Sequence, residues 1–168
     1  LFARGIAGLD PWITATGAVT LRQLATHTSC LPRLPDNLMN PNGDDPYGQY
    51  DKKAMVEYLA HAKLDAAPPC AAEYSNFGFG VLGVVLETVY GMPWATLIQE
   101  KITGPLGMAD TVQELSPAQQ ARFAEPWAGD KPAHPWTFQA IAGAGALRST
   151  LADMSKLADA LLAGPKGP

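Results

Sequence analysis

The sequence predicts a mainly α-helical fold, and three observations indicate this class. Apolar residues recur at three- and four-residue spacing in several segments, most of which begin at a Ser, Thr or Asp that can cap a helix. No two segments alternate apolar and polar residues as a pair of half-buried strands does. With 47% hydrophobic and 17% charged residues, the 168-residue chain has the balance of one globular domain over residues 1–168.

Two short helices are predicted in the first part of the chain. Thr20 can cap the first helix, whose apolar face consists of Leu21, Leu24 and Ala25. Asp51 can cap the second helix, whose apolar face consists of Met55, Tyr58, Leu59 and Ala62. Between them, residues 31–49 are rich in Pro, Asn, Asp and Gly, which predicts a long loop on the surface.

An apolar helix is predicted over residues 76–90. Its residues are hydrophobic nearly all round, so we expect it to be buried on most sides and to end at Gly91. Pro93 suits the first turn of a following helix, which breaks at Gly104. The inward side of that helix consists of Trp94, Leu97 and Ile98.

The last third of the chain contains two more predicted helices. Ser116, which precedes a proline, starts a short one. Residues 124–146 mix Pro, Gly and Trp without a sustained period, which predicts a loop with at most a short strand. Thr150 and Asp153 form a capping box for a final helix that ends at Gly164. Its apolar stripe consists of Leu151, Met154, Leu157, Ala158, Leu161 and Leu162.

Charge and composition disfavour several classes of partner. The 12 basic and 16 acidic residues give a formal net charge of -4, so we expect neither nucleic acid nor a membrane surface as partner. No apolar run is long enough to span a membrane. The first residues lack the basic and apolar regions of a signal peptide, so none is expected in this sequence. Cys30 and Cys70 lack C-x-x-C spacing, and His27, His61 and His134 are scattered, so we expect no metal and no cofactor.

Three glycines in the central helix raise the alternative of dinucleotide binding. Gly78, Gly80 and Gly83 spell G-x-G-x-x-G, a pattern that cradles phosphates only where a buried strand runs into it. Residues 65–73 contain two prolines and no β-branched residue, so no strand leads in. We interpret these glycines as helix residues that let a neighbouring element approach closely, and we set aside residues 143–145 for the same reason.

The triplet Tyr74-Ser75-Asn76 precedes these glycines and admits two interpretations. In one, Ser75 or Asn76 caps the helix and Tyr74 packs on the neighbouring loop. In the other, the phenol, the hydroxyl and the amide form a catalytic cluster at the mouth of the helix. Spacing alone leaves both interpretations open.

Four segments resemble one known family. Residues 74–79 (YSNFGF), followed by Leu82-Gly83 and Glu87, resemble the Y-S-N signature of the serine β-lactamase and penicillin-binding-protein-like family. That family includes class C β-lactamases, D-alanyl-D-alanine carboxypeptidases and related esterases. The other segments agree in order: LRQLATHTSCLPRLP (21–35), ITGPLGMADT (102–111) and AGAGALRSTLADMSKLADALL (142–162).

The resemblance implies a role for each residue of the triplet. In such enzymes an S-x-x-K serine attacks a carbonyl and a late K-T-G strand holds the substrate. Tyr74 is then the general acid/base and Asn76 binds the substrate amide, while Ser75 caps the helix and is not the nucleophile. Because a phenol is a poor base at neutral pH, Tyr74 needs cations nearby. The implied substrate is a small molecule, either a β-lactam, a D-Ala peptide or an ester.

Two parts of the family's pattern are absent from this sequence. No serine of the chain has a lysine three residues later, and no K-T-G occurs. We therefore expect the helical subdomain of a β-lactamase/transpeptidase-like fold, without the α/β domain that carries S-x-x-K and K-T-G. On this view the chain is a fragment of a larger serine hydrolase and is inactive alone.

A second hypothesis treats the chain as a non-catalytic helical module. Removing a helical region from its α/β domain would expose apolar surface, through which the chain self-associates as a homo-oligomer or binds a partner. The sequence leaves open the substrate class and the cellular location, although the family resemblance is to proteins that are often periplasmic or secreted.

The two cysteines carry a further expectation that depends on the resemblance. Cys30 stands where the family's H-T-S-G-L-P segment has glycine, and Cys70 falls near another glycine before Y-S-N. In the family both loops approach the same side of the site. A Cys30–Cys70 disulfide is one expectation and two free, half-buried thiols are the other. If position 30 needs a positive φ, cysteine is strained there.

Overall fold

The computed structural model describes residues 19–39, 41 and 43–164. Within this part of the chain helices predominate, as the sequence predicts, and the only strands form one two-residue antiparallel pair. In chain order the elements are α1 (Leu21–Ala25), α2 (Lys52–His61), α3 (Asn76–Tyr90), α4 (Trp94–Ile98), a π-helical segment (Gln99–Thr103), α5 (Pro117–Gln120), β1 (Trp127–Ala128), β2 (Lys131–Pro132), a 3-10 helix (Ala142–Ala144) and α6 (Leu151–Ala163).

Side-chain caps fix where the helices begin. The Thr20 hydroxyl accepts the Gln23 N–H at 3.2 Å, and the Gln23 side chain accepts the Thr20 N–H at 2.8 Å, which completes a capping box on α1. The Asp51 carboxylate accepts the Ala54 N–H at 2.8 Å at the start of α2. Each bond satisfies an amide that the helix leaves unpaired, and both predicted caps are confirmed.

Helix α3 forms the centre of the core. Phe77 and Val81 are fully buried, together with Met55 and Leu59 of α2 and Ile141 before the 3-10 helix. Burial of each such side chain stabilises the fold by about 1.5–3 kcal/mol. The predicted bounds and burial of this helix are confirmed.

Glycines allow α3 to contact the 3-10 helix. A Cβ atom at Gly80 would lie 3.0 Å from the Ile141 Cα, and one at Gly143 would lie 2.5 Å from the Phe79 carbonyl oxygen. Residues 65–73 are irregular, so no strand precedes the G-x-G-x-x-G string. The interpretation of these glycines as packing residues is confirmed.

The loop over residues 31–49 differs in part from its prediction. It is irregular wherever the structure describes it, but Leu31, Leu38 and Tyr47 are buried in the core. The Asn37 side chain also donates to a carbonyl of α2 at 2.8 Å. The prediction of a purely surface loop is wrong because its spaced apolar side chains pack inward while the polar residues between them face solvent.

The predicted capping box of α6 forms only by half. The Thr150 hydroxyl accepts the Asp153 N–H at 3.2 Å, as predicted. The Asp153 carboxylate instead accepts the Asp110 N–H at 2.8 Å and the Thr111 hydroxyl at 3.0 Å. Lys156 completes its shell with an Nζ–Oδ1 distance of 2.8 Å. Asp153 is buried, so its carboxylate turns to this richer set of donors.

The apolar stripe of α6 is exposed rather than packed. The largest exposed fractions on the helix are 85% at Leu151, 73% at Leu161 and 86% at Leu162. Within the described residues, the buried residue of this helix is Asp153. The stripe therefore faces solvent.

Several short elements were not predicted. The segment after α4 is π-helical and closes with the Gly104 N–H donating to the Gln99 carbonyl at 2.8 Å. Glycine is needed there because a Cβ would lie 2.7 Å from that same oxygen.

Pro93 is the residue before α4 rather than a member of its first turn.

No single helix within the described ranges is long and apolar enough to cross a membrane. Helix α3 and the helix over residues 94–103 meet that test of length and composition only as a pair bent by 78°.

Candidate active site

Ser75 anchors the start of α3. Its side chain is buried, and its hydroxyl accepts the Gly78 N–H at 2.8 Å and donates to the Pro32 carbonyl at 2.6 Å. Both bonds are structural, so the hydroxyl is engaged on the inner side of the helix end. The structure thus places Ser75 as the helix cap.

Tyr74 projects outward beside it. Its side chain is 53% exposed, and its hydroxyl has no hydrogen-bond partner among the residues that the structure describes. The His27 ring lies 4.7 Å from the Tyr74 ring, and the Arg33 guanidinium lies 5.2 Å from the ring centroid. Arg33 is thus a cation near the phenol, although it contacts the face of the ring rather than the hydroxyl.

Asn76 borders a cluster of aromatic rings. Its Nδ2 atom lies 3.4 Å from the Tyr47 hydroxyl. The Tyr47 ring stacks on Phe138 at 5.2 Å and meets the half-exposed Trp136 edge-on at 5.4 Å. The structure therefore brings the long loop and the 124–146 region together next to Asn76.

Two chain segments lie side by side beneath Tyr74. The Cys70 N–H donates to the Thr28 carbonyl at 3.0 Å, and the Phe77 N–H donates to the Arg33 carbonyl at 3.2 Å. Cys30 and Cys70 are joined by a disulfide, with their Cα atoms 5.4 Å apart. Residues 27–33 thereby hold the segment that carries Tyr74.

Cys30 has a φ of 64°, the left-handed conformation that glycine adopts without strain. Cysteine therefore occupies this position at a conformational cost, whereas Cys70 does not share that conformation.

Three residues of this region are not predicted from the sequence. His27 is one of three scattered histidines, and no local pattern marks Arg33 or Tyr47. The signal for His27 and Arg33 was their place in the segment over residues 21–35, which is one of the four that resemble the family.

A separate cleft lies elsewhere on the described surface. It has a volume of about 920 Å³, and its walls include Trp94, Met108 and Phe138 but neither Tyr74 nor Asn76. At its rim Lys52 pairs with Glu87 at 2.7 Å, and Glu87 also accepts the Trp94 N–H at 2.6 Å. The Glu87 carboxylate thus caps α4.

Comparison with known proteins gives one consistent result. A family model described as Beta-lactamase matches residues 11–167. The chain is 38% identical over 146 residues to the D-alanyl-D-alanine-carboxypeptidase/endopeptidase AmpH of Escherichia coli K12, a match that covers 82% of this chain and 35% of AmpH. It is 32% identical over 153 residues to Esterase EstB of Burkholderia gladioli, covering 79% of this chain and 38% of EstB.

Solved structures share the fold. A beta-lactamase/D-alanine carboxypeptidase from Yersinia pestis superimposes with a TM-score of 0.71 at 26% identity, covering 91% of this chain and 46% of that one. A beta-lactamase from Sulfitobacter superimposes with a TM-score of 0.76 at 22% identity, covering 96% of this chain and 42% of that one. The chain thus spans less than half the length of each of these relatives. It belongs to the β-lactamase family.

Proposed function

We propose that this chain carries the proton-transfer and substrate-binding part of a serine hydrolase that works through an acyl-enzyme. Tyr74 is the general acid/base and Asn76 binds the substrate amide. The observation that carries the proposal is the contrast within the triplet. Ser75 is buried and doubly hydrogen-bonded, whereas Tyr74 is 53% exposed.

Backbone geometry explains this contrast. Ser75 has extended dihedrals, with φ of -130° and ψ of 108°. Because neighbours in an extended chain point to opposite sides, an inward Ser75 turns Tyr74 outward. Asn76 follows as the first residue of α3, and its half-buried amide lies beside Tyr47. In the proposed site a small molecule contacts the phenol and the amide at the N-terminus of α3.

The chemistry divides between this chain and groups outside it. In the proposed step Tyr74 acts as its phenolate: it takes the nucleophile's proton as the carbonyl is attacked and becomes a neutral phenol. It then gives that proton to the leaving group, which regenerates the phenolate. None of the five serines has a lysine three residues later: Ser29, Ser75, Ser116, Ser149 and Ser155. The proposed role is therefore that of the helical part of a longer hydrolase, and the isolated chain is expected to be inactive.

Incubation with a chromogenic cephalosporin and a p-nitrophenyl ester tests the isolated chain. We expect neither hydrolysis nor a covalent acyl adduct in the intact mass. Turnover by the chain that disappears in Tyr74→Phe would contradict the proposed division of roles, because another residue would then have to be the nucleophile.

A chimera tests the role of Tyr74 itself. In it, this chain replaces the AmpH segment that it matches, and the rest of AmpH supplies the S-x-x-K and K-T-G that the family resemblance implies. Tyr74→Phe should lower kcat by about 10²–10⁴-fold, the usual contribution of general acid–base catalysis. Tyr90→Phe is the matched control, since Tyr90 is a half-exposed tyrosine at the other end of α3. Equal kcat values in the two variants would refute the role.

The choice among β-lactam, D-Ala peptide and ester substrates can be made with the same chimera. Relatives named as carboxypeptidase and as esterase support the broad class. The aromatic cluster of Tyr47, Trp136 and Phe138 lies beside Asn76, which supports a role for it in contacting the substrate. On this proposal Trp136→Ala should change the ranking of the three substrates.

Self-association is a second candidate function, and the exposed stripe of α6 favours it. Leu151, Leu161 and Leu162 present a row of apolar side chains to solvent. Leu161→Lys should convert an oligomer to a monomer in sedimentation experiments, whereas Met39→Lys, at an equally exposed site outside the helix, should not. A monomeric wild-type chain would exclude this function.

A further inference from the structure

We propose that His27 is the positioning residue of Tyr74, an inference that rests on the proposed function of Tyr74. His27 contacts three consecutive residues of the catalytic segment. Its carbonyl accepts the Glu73 N–H at 2.9 Å, its ring lies 4.7 Å from the Tyr74 ring, and its Nδ1 atom accepts the Ser75 N–H at 3.0 Å.

The hydrogen bond from the Ser75 N–H determines which nitrogen of the His27 imidazole carries the proton. A neutral ring that accepts a hydrogen bond at Nδ1 carries its proton at Nε2, and a doubly protonated ring cannot accept this bond at all. The same ring lies 4.9 Å from Phe79, one turn into α3. His27 therefore links the backbone before the helix, the phenol and the first turn of the helix through one side chain.

The backbone at His27 shows that the turn itself does not call for histidine. The Thr28 N–H donates to the Gln23 carbonyl at 2.9 Å and the His27 N–H to the Leu24 carbonyl at 3.3 Å, which together form a Schellman turn at the end of α1. His27 has a φ of 57° at the position of this turn that glycine normally occupies. Histidine thus occupies a position where glycine is less strained. Its side chain supplies the ring that contacts Tyr74 and the Nδ1 acceptor for Ser75, both of which glycine lacks.

Two substitutions separate the backbone effect from the side-chain effect. His27→Gly suits the turn but removes the ring and the Nδ1 acceptor. His27→Asn tolerates a positive φ and offers a side-chain oxygen in place of Nδ1. His27→Gly should leave the chain folded yet speed the exchange of the Ser75 amide hydrogen about 10-fold or more, and His27→Asn should restore part of the protection.

Nuclear magnetic resonance of the 168-residue chain is the first test. We expect the Nδ1 nitrogen of His27 to be unprotonated and the Nε2 nitrogen to carry the proton. A proton on Nδ1, or unchanged Ser75 exchange in His27→Gly, would overturn the proposal. His61→Asn, at an exposed histidine at the end of α2, is the control and should change neither signal.

Kinetics in the AmpH chimera is the second test. His27→Gly should lower kcat about 10- to 100-fold with little change in KM, because a displaced phenol weakens proton transfer more than binding. If Tyr74→Phe has no effect, the proposed function fails. If Tyr74→Phe lowers kcat and His27→Gly does not, only the positioning role of His27 fails.

Discussion

Ser75 stabilises the helix that presents its two neighbours. Ser75→Ala should reduce the free energy of unfolding by about 1–3 kcal/mol, because it removes a helix cap and leaves the Pro32 carbonyl without its donor. Urea unfolding measures this loss. Ser116→Ala removes the cap of the short, exposed α5 and should cost about 0.5 kcal/mol. Equal losses would contradict a buried, doubly bonded Ser75.

Asp153 is a buried residue whose ionisation should make stability depend on pH. Hydrogen bonding to Lys156 lowers the pKa of Asp153 below its ordinary value, aided by the Asp110 amide and the Thr111 hydroxyl and opposed by burial. Because the unfolded chain then binds a proton more readily, this contribution is complete above about pH 5 and is lost as the pH falls toward the lowered pKa.

Urea unfolding between neutral and acidic pH measures this effect. Asp153→Asn should flatten the fall in stability at acidic pH. Asp159→Asn, at an exposed position of the same helix, should keep the fall seen in the parent. A parent whose stability does not change with pH would contradict the prediction.

At this scale the sequence revealed the triplet but not what surrounds it. Tyr74, Ser75 and Asn76 are adjacent in the chain, so their joint location follows from the helix that begins there. His27 and Tyr47 reach the same place only through contacts between residues 48 and 29 positions apart. No local sequence pattern predicts contacts at such separations, so only the folded structure identifies these two residues.

Among the elements, α3 offers the sharpest test because two of its glycines differ in surroundings. A Cβ at Gly80 would lie 3.0 Å from the Ile141 Cα, which is backbone and cannot move aside, whereas a Cβ at Gly83 meets nothing closer than 3.4 Å. Gly80→Ala should destabilise the protein by about 1–3 kcal/mol through overpacking. Gly83→Ala should be neutral or stabilise it by up to about 1 kcal/mol through helix propensity.

Thermal and urea unfolding of both variants measures these changes in stability. Equal effects would show that the contact of Gly80 with the Ile141 backbone does not constrain α3.

Element prediction succeeded where a cap and a long apolar period agreed. Helix α3 runs over 15 residues and is capped by a buried serine, so its bounds follow from sequence. The 3-10 helix has three residues and each strand has two, which is too short for any periodicity to appear. The predicted capping box of α6 was wrong for the Asp153 side chain, because that carboxylate bonds to residues 110 and 111 on a separate segment.

For the molecule as a whole, the disulfide is the main covalent constraint within the described residues. Cys30 and Cys70 are 40 positions apart, and closing a loop of that size should stabilise the fold by about 2–4 kcal/mol. A Cys30→Ser/Cys70→Ser variant should lose that much, and dithiothreitol should lower the parent to the same value. A parent that is insensitive to the reductant, with two titratable thiols when unfolded, would contradict the bond.

The same bond decides what happens when the main chain is cut. Any peptide bond between residues 31 and 69 lies inside the ring that the disulfide closes. A protease that cuts the chain at the exposed Met39 would therefore leave two pieces covalently joined. On a gel the nicked protein should run as one band until thiol is added and as two bands afterwards. The segment that contains His27 and Cys30 and the segment that contains Cys70 and Tyr74 stay joined by the disulfide. A nicked molecule should therefore keep the geometry around Tyr74.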